Sequence, residues 1–190
     1  MQNFNILIVG VGGQGTILAS RIIGSVAAQV AKDVKISEIH GMSQRGGSVI
    51  TQVRFGDKVY SPVIAEGTAD VILAFEELEA FRWYPYLKKQ GLMLMNNQEI
   101  DPMPVIMGII PYPVNISEKM LEVEVVSVPA LPLATQAGNS KAVNVVLMGV
   151  LAKRLGYEKS VWQEALKANV PAKFLTVNEE AFDLGYNLYE

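Results

Sequence analysis

The sequence predicts an α/β fold in which a mostly parallel sheet with an inserted antiparallel hairpin carries helices on both faces. Three observations lead there. Residues 4–9 form a run that is apolar but for Asn5 and rich in branched side chains, as a strand buried on both faces of a parallel sheet requires. Gly10-Val11-Gly12-Gly13-Gln14-Gly15 follows at once with the G-x-G-x-x-G spacing. It opens a helical segment, residues 13–32, in which Ile17, Leu18, Ile22, Val26 and Val30 recur at three- and four-residue intervals. Short apolar runs then alternate with helical patterns, with no repeat, low-complexity tract or linker. Residues 1–190 therefore read as one domain of Rossmann-like layout.

The elements follow in order. Residues 34–39 read as the second strand and 41–47 as a glycine-rich loop. In residues 48–55, Val49, Thr51, Val53 and Phe55 alternate with Ile50, Gln52 and Arg54, and Gly56-Asp57 turns into 58–60; this is the expected hairpin. Residues 71–75 are a buried strand. Residues 76–87 form a helix whose first turn holds Glu76, Glu77 and Glu79, where the positive end of the helix dipole favours carboxylates. Residues 92–95 are another strand. Across 96–113, Pro102, Pro104, Pro111 and Pro113 interrupt every candidate element, which leaves a wandering connection or a set of edge strands. Residues 123–128 are a strand and 131–137 a short helix closed at Gly138. Asn139 or Ser140 then caps the helix 142–155, which is apolar on almost every side, and 160–168 and 178–188 are terminal helices.

Composition removes several chemistries. The chain has no Cys and one His, His40, so it can supply neither a thiolate nucleophile nor a Cys-ligated cluster, nor a two-histidine zinc site. Sixteen Lys plus Arg against nineteen Asp plus Glu, a net charge of -3, argue against a nucleic-acid partner. Residues 142–152, the longest apolar stretch, fall well short of the roughly 20 residues of a spanning helix. No basic segment precedes Ile6, so no membrane association is expected and a cytoplasmic location is. Charged residues are only 18% against about 25% in a typical domain, so part of the apolar surface is expected to lie against another chain.

The glycine loop is the first candidate site. Gly10 permits the turn out of the strand, Gly12 lets an anion approach the backbone, and Gly15 lets helix and strand pack closely. Gly13 completes the loop, and the Thr16 hydroxyl could join the free amides of the helix start. Three readings remain open: a turn that binds nothing, an anion cradle, or an NAD site in which Glu38 would take the ribose. The second glycine loop weighs against NAD, because Glu38 runs straight into it. Ser43, Arg45, Gly46 and Gly47 of that loop are placed by strand order near the first, so Arg45 could reach the same anion; the bland alternatives are a surface ion pair for Arg45 and a hydrogen-bonded turn for His40. Glu76, Glu77 and Glu79 read as dipole partners rather than an acid/base pair. Met93, Met95, Met103 and Met107 read as core or interface filling. No catalytic residue and no metal ligand is assigned.

Three segments together are recognisable: residues 10–16, residues 38–48 with His-Gly-Met-Ser-Gln-Arg-Gly-Gly at their centre, and Val53-Arg54-Phe55-Gly56-Asp57. They resemble the gamma domain of the 2-oxoacid:ferredoxin oxidoreductases, and the second segment is similar to the form found in beta subunits of the indolepyruvate branch. The likeness continues through Tyr60-Ser61-Pro62 and residues 69–76 and 144–149 to Val170-Pro171. It implies a subunit of a heteromeric enzyme that converts aryl 2-oxoacids and CoA to aryl-acetyl-CoA and CO2, with electrons passing to ferredoxin. A large alpha subunit would carry thiamine diphosphate, magnesium and the iron–sulfur clusters. A chain with no Cys and no thiamine motif would lend its surface to that partner. A stand-alone NAD-dependent oxidoreductase and a purely structural assembly module are the alternatives.

Overall fold

The computed structural model describes residues 3–40 and 47–189. Six strands, β1 (Phe4–Val11), β2 (Asp33–His40), β3 (Ser48–Gly56), β4 (Ala69–Ala74), β5 (Leu87–Asn96) and β6 (Glu124–Val128), form one sheet in the order β2-β3-β1-β4-β5-β6. β1, β4, β5 and β6 run parallel, whereas β3 is antiparallel to both β1 and β2. The helices are α1 (Thr16–Val30), α2 (Glu77–Trp83), α3 (Met103–Ile106), α4 (Ile116–Lys119), α5 (Ala130–Gln136), α6 (Val143–Leu155), α7 (Lys159–Asn169) and α8 (Ala172–Tyr186).

Strand alternation sorts the core into two layers. Ile6, Ile8, Val71, Leu73 and Leu94 face α1 and α5 to α8, while Leu7, Val9, Ile72, Met93 and Met95 face α2 and α4. Each of these strand residues is at most 2% exposed, which is why the strands are apolar without alternation. Helices α6 and α8 approach backbone to backbone: a Cβ added at Gly149 would lie 2.1 Å from the Phe182 carbonyl oxygen, and one at Gly185 2.0 Å from that of Val146.

The antiparallel insertion is present, but the hairpin partner differs from the expected one. β3 pairs with β2 along Val34–Phe55 to His40–Val49 and with β1 along Phe4–Phe55 to Val11–Ser48, while residues 58–60 form no strand. A strand buried from Val49 to Val53 needs a ladder on both edges, and three residues cannot supply one. The last helix begins at Ala172, not at 178. Asn178 lies inside it, its Nδ2 donating to the Phe174 carbonyl one turn back at 2.8 Å. Residues 96–113 hold the short helix α3 and no edge strand. Among the described residues no helix is long and apolar enough to cross a membrane.

Candidate functional site

β1 delivers the chain into the first glycine loop at the carboxyl ends of the parallel strands, where open α/β sheets hold their ligands. The loop is fastened from several sides. The Gln14 side chain folds back so that its Oε1 accepts from the Val11 amide at 2.7 Å while its Nε2 donates to the Phe75 carbonyl at 3.0 Å. Buried Asn96 donates to the same carbonyl at 3.3 Å and accepts from the Ala130 amide at 3.3 Å, which ties the ends of β4 and β5 to the start of α5. From α6, Asn144 Nδ2 donates to the Gly15 carbonyl at 3.2 Å.

Gly15 stands in the left-handed region at φ 84, and a Cβ there would lie 2.5 Å from Asn144 Nδ2. Its close approach is therefore to α6 rather than to β1. The Gly12 amide donates to the Gly47 carbonyl at 3.0 Å, so the second glycine loop does close on the first. That same bond occupies the amide that was expected to meet an anion. Thr16 is buried and Gly10 is packed against Gln14 and Phe75, so both shape the loop from behind. Ser43, Arg45 and Gly46 lie outside the described residues.

Beside the loop opens a cleft of about 650 Å³, lined by Gly13, Gln14, Gly15 and Leu18 on one side and by residues 139–144 with Phe174 and Asn178 on the other. Lys141 is the one charged residue among the described lining residues, and Gln98, Asn139, Ser140 and Asn144 add neutral polar groups. The first amides of α1 have no carbonyl of their own helix to bond, and those of Gly15 and Thr16 find no partner among the described residues. An ammonium, orphan amides at a helix start and apolar walls suit an anionic ligand with an apolar portion. Among the described residues no group of three or more His, Asp or Glu gathers as a metal site.

Sequence reasoning missed the far wall, Lys141 and Asn178, although Asn144 as the one polar residue of an otherwise apolar stretch was a visible signal. It also underrated Glu76. This carboxylate is 1% exposed and caps α2, its Oε2 accepting from the Glu79 amide at 2.8 Å while its Oε1 accepts from the Ile100 amide at 3.2 Å and the Tyr112 hydroxyl at 2.5 Å. Burial, and after it the hydrogen bond and charge of Glu76, push the Tyr112 hydroxyl well above its ordinary range. Burial and then the charges of Glu99 and Glu76 push the Glu77 carboxyl up. The NAD reading loses its anchor: β3 stands between β1 and β2, so Glu38 is two strands from β1, and its carboxylate accepts from Ser20 Oγ at 2.7 Å.

The profile of the family described as pyruvate ferredoxin/flavodoxin oxidoreductase matches residues 5–188. The chain belongs to that family. Within it, the chain is 44% identical to indolepyruvate oxidoreductase subunit IorB of Pyrococcus horikoshii, over 97% of this chain and 95% of that protein. Pyruvate oxidoreductase subunit PORC from Thermotoga maritima shares the fold at a TM-score of 0.74 and 20% identity, covering 98% of this chain and 96% of that one. A 2-oxoglutarate:ferredoxin oxidoreductase from Magnetococcus marinus, solved with 2-oxoglutarate, coenzyme A and succinyl-CoA bound, shares it at a TM-score of 0.77 and 22% identity. There the match takes 99% of this chain but 31% of the other, so the fold of the family's small subunit recurs inside a much longer polypeptide. The relatives of matching length are named as subunits of oxidoreductases.

Proposed function

We propose that residues 1–190 form one gamma-type domain and act as the small subunit of an indolepyruvate:ferredoxin oxidoreductase. The complex turns an aryl 2-oxoacid and CoA into aryl-acetyl-CoA and CO2 while two electrons pass to ferredoxin. Identity of 44% across nearly the full length of both chains supports the substrate class. The large alpha subunit holds thiamine diphosphate, magnesium and iron–sulfur clusters, which supply decarboxylation and electron transfer; a chain without Cys has no thiolate to ligate such clusters.

The observation that carries this chain's own part is the cleft in which Lys141, the one charged residue among the described lining residues, stands beside a helix start. CoA fits it chemically: its phosphates suit Lys141 and the amide of Gly15, and its pantetheine suits Leu18 and Phe174. Arg45, Ser43, Gly46 and Gly47 complete the anion site from the second loop in this reading, while Gly10 and Gly12 hold the turn. The chain thus binds and orients the acyl acceptor and excludes water from it, and the partner performs the chemistry.

The test is steady-state kinetics of the complex assembled from this chain and its alpha subunit. Arg45→Ala and Gly13→Val should raise KM for CoA and leave KM for the oxoacid unchanged, with assembly verified by gel filtration. Normal assembly with wild-type kinetics for both substrates would exclude the CoA site. Poor assembly of both variants would instead assign the loops to the subunit interface.

A further inference from the structure

Residues 102–117 carry no charged side chain, yet most of them are exposed. Met103, Ile106, Met107, Ile109, Ile110 and Val114 are between 51% and 71% exposed, a continuous stretch of large apolar groups where surfaces ordinarily show them singly. Charged residues stand at both ends, Glu99 and Asp101 before and Glu118 and Lys119 after. Large apolar groups exposed together mark a protein-binding surface.

This arm is held in shape. Gly108 turns it at φ +69, and the amides of Gly108, Ile109 and Ile110 donate to the carbonyls of Val105 and Pro104. Below, Ile116 and Met120 are buried in the layer against β5. Across it, the Tyr112 hydroxyl donates to buried Glu76. The ordering cost of the arm is thus met in the free subunit, as in surfaces that bind without rearranging.

We propose that this arm is the surface on which the larger subunit of the oxidoreductase docks, an inference that rests on the subunit reading above. Two observations select this occupant. The arm starts at the rim of the cleft: Gln98 and Ile100 line it, and one carboxylate, Glu76, holds both the Ile100 amide and Tyr112. A chain seated on the arm therefore borders the cleft, which is where the reacting partner must be, whereas a second copy would bring no redox chemistry there. The same fold also occupies only 31% of the Magnetococcus marinus chain, so it recurs with a large body of additional polypeptide attached. Two methionines suit a surface that adapts to a large partner.

The experiment measures binding of the full chain to the cofactor-loaded alpha subunit by sedimentation velocity. Ile106→Asp combined with Ile109→Asp should weaken binding about a hundredfold, because a buried charge at an interface centre finds no partner. Met107→Gln combined with Val114→Thr, milder and on exposed positions, should weaken it about tenfold and serves if the first pair fails to fold. Wild-type affinity in folded variants overturns the docking surface and leaves the subunit reading standing. Failure of the wild-type chain itself to bind the alpha subunit refutes the subunit reading, and with it this inference. Loss of self-association with unchanged alpha-subunit binding makes a second copy the occupant and overturns the proposal.

Discussion

Gly15 shows how one residue can serve backbone geometry and packing at once. Its φ of 84 costs an L side chain roughly 1–2 kcal/mol, and a Cβ would in addition displace Asn144 Nδ2 from 2.5 Å. Gly15→Ala should therefore lower the urea midpoint by an amount equivalent to about 1–3 kcal/mol with an unchanged m-value, and should raise KM for CoA. Lys141, exposed and the lone cation of the described cleft wall, contributes less: Lys141→Ala should cost about 1 kcal/mol, a roughly fivefold rise in KM for CoA at constant kcat. Tyr112 is readable through pH. Its folded pKa is raised by burial and by Glu76, so its stabilisation is whole below about pH 10, where an unfolded tyrosine titrates, and is lost as pH rises toward the folded value. Tyr112→Phe should lose about 1–2 kcal/mol at pH 7, and the gap to wild type should narrow in denaturation curves taken above pH 10.

At the scale of elements, α6 and α8 meet through glycines that leave no room for a methyl group. Replacing Gly149 by Ala would gain about 1 kcal/mol of helix propensity. The added Cβ, however, would sit 2.1 Å from the Phe182 carbonyl, an obstacle made of backbone that no rotamer change relieves. Gly149→Ala and Gly185→Ala should each cost a net 1–3 kcal/mol, read as a drop of roughly 2–4 °C in Tm per kcal/mol. Position 149 reads in the sequence as one more small residue of an apolar helix. Only the crossing of the two helices makes its lack of a side chain decisive. The same holds for Glu76: a carboxylate at a helix start is legible as a dipole partner, but its burial follows from Tyr112 and the Ile100 amide, which arrive from a connection whose path the prolines hide.

For the whole molecule, the low charge content and the exposed arm predict a chain completed by another. Binding of the alpha subunit at about 100 times Kd should stabilise this chain by about 2.7 kcal/mol, raising its Tm by roughly 5–10 °C in a calorimetric titration. The isolated chain should show no turnover of a 2-oxoacid with ferredoxin; turnover by it alone would contradict the division of labour proposed here.

From the sequence alone came β1, the glycine loop and α1, because a buried strand, a turn that needs glycine and a helix with one apolar stripe are each specified by neighbouring residues. The absence of Cys was equally plain, as was the family likeness in residues 10–16 and 38–48. Tertiary structure decided what neighbouring residues cannot encode. β3 took the place beside β1 because a strand buried on both faces must fill both of its hydrogen-bonding edges, and that removed Glu38 from the loop it was expected to serve. Lys141, Asn144 and Phe174 stand across the cleft from Gly13 and Gly15 although well over a hundred residues separate them in the chain. That juxtaposition depends on how α6 and α8 pack against the sheet and each other, a long-range outcome of two glycines meeting backbone.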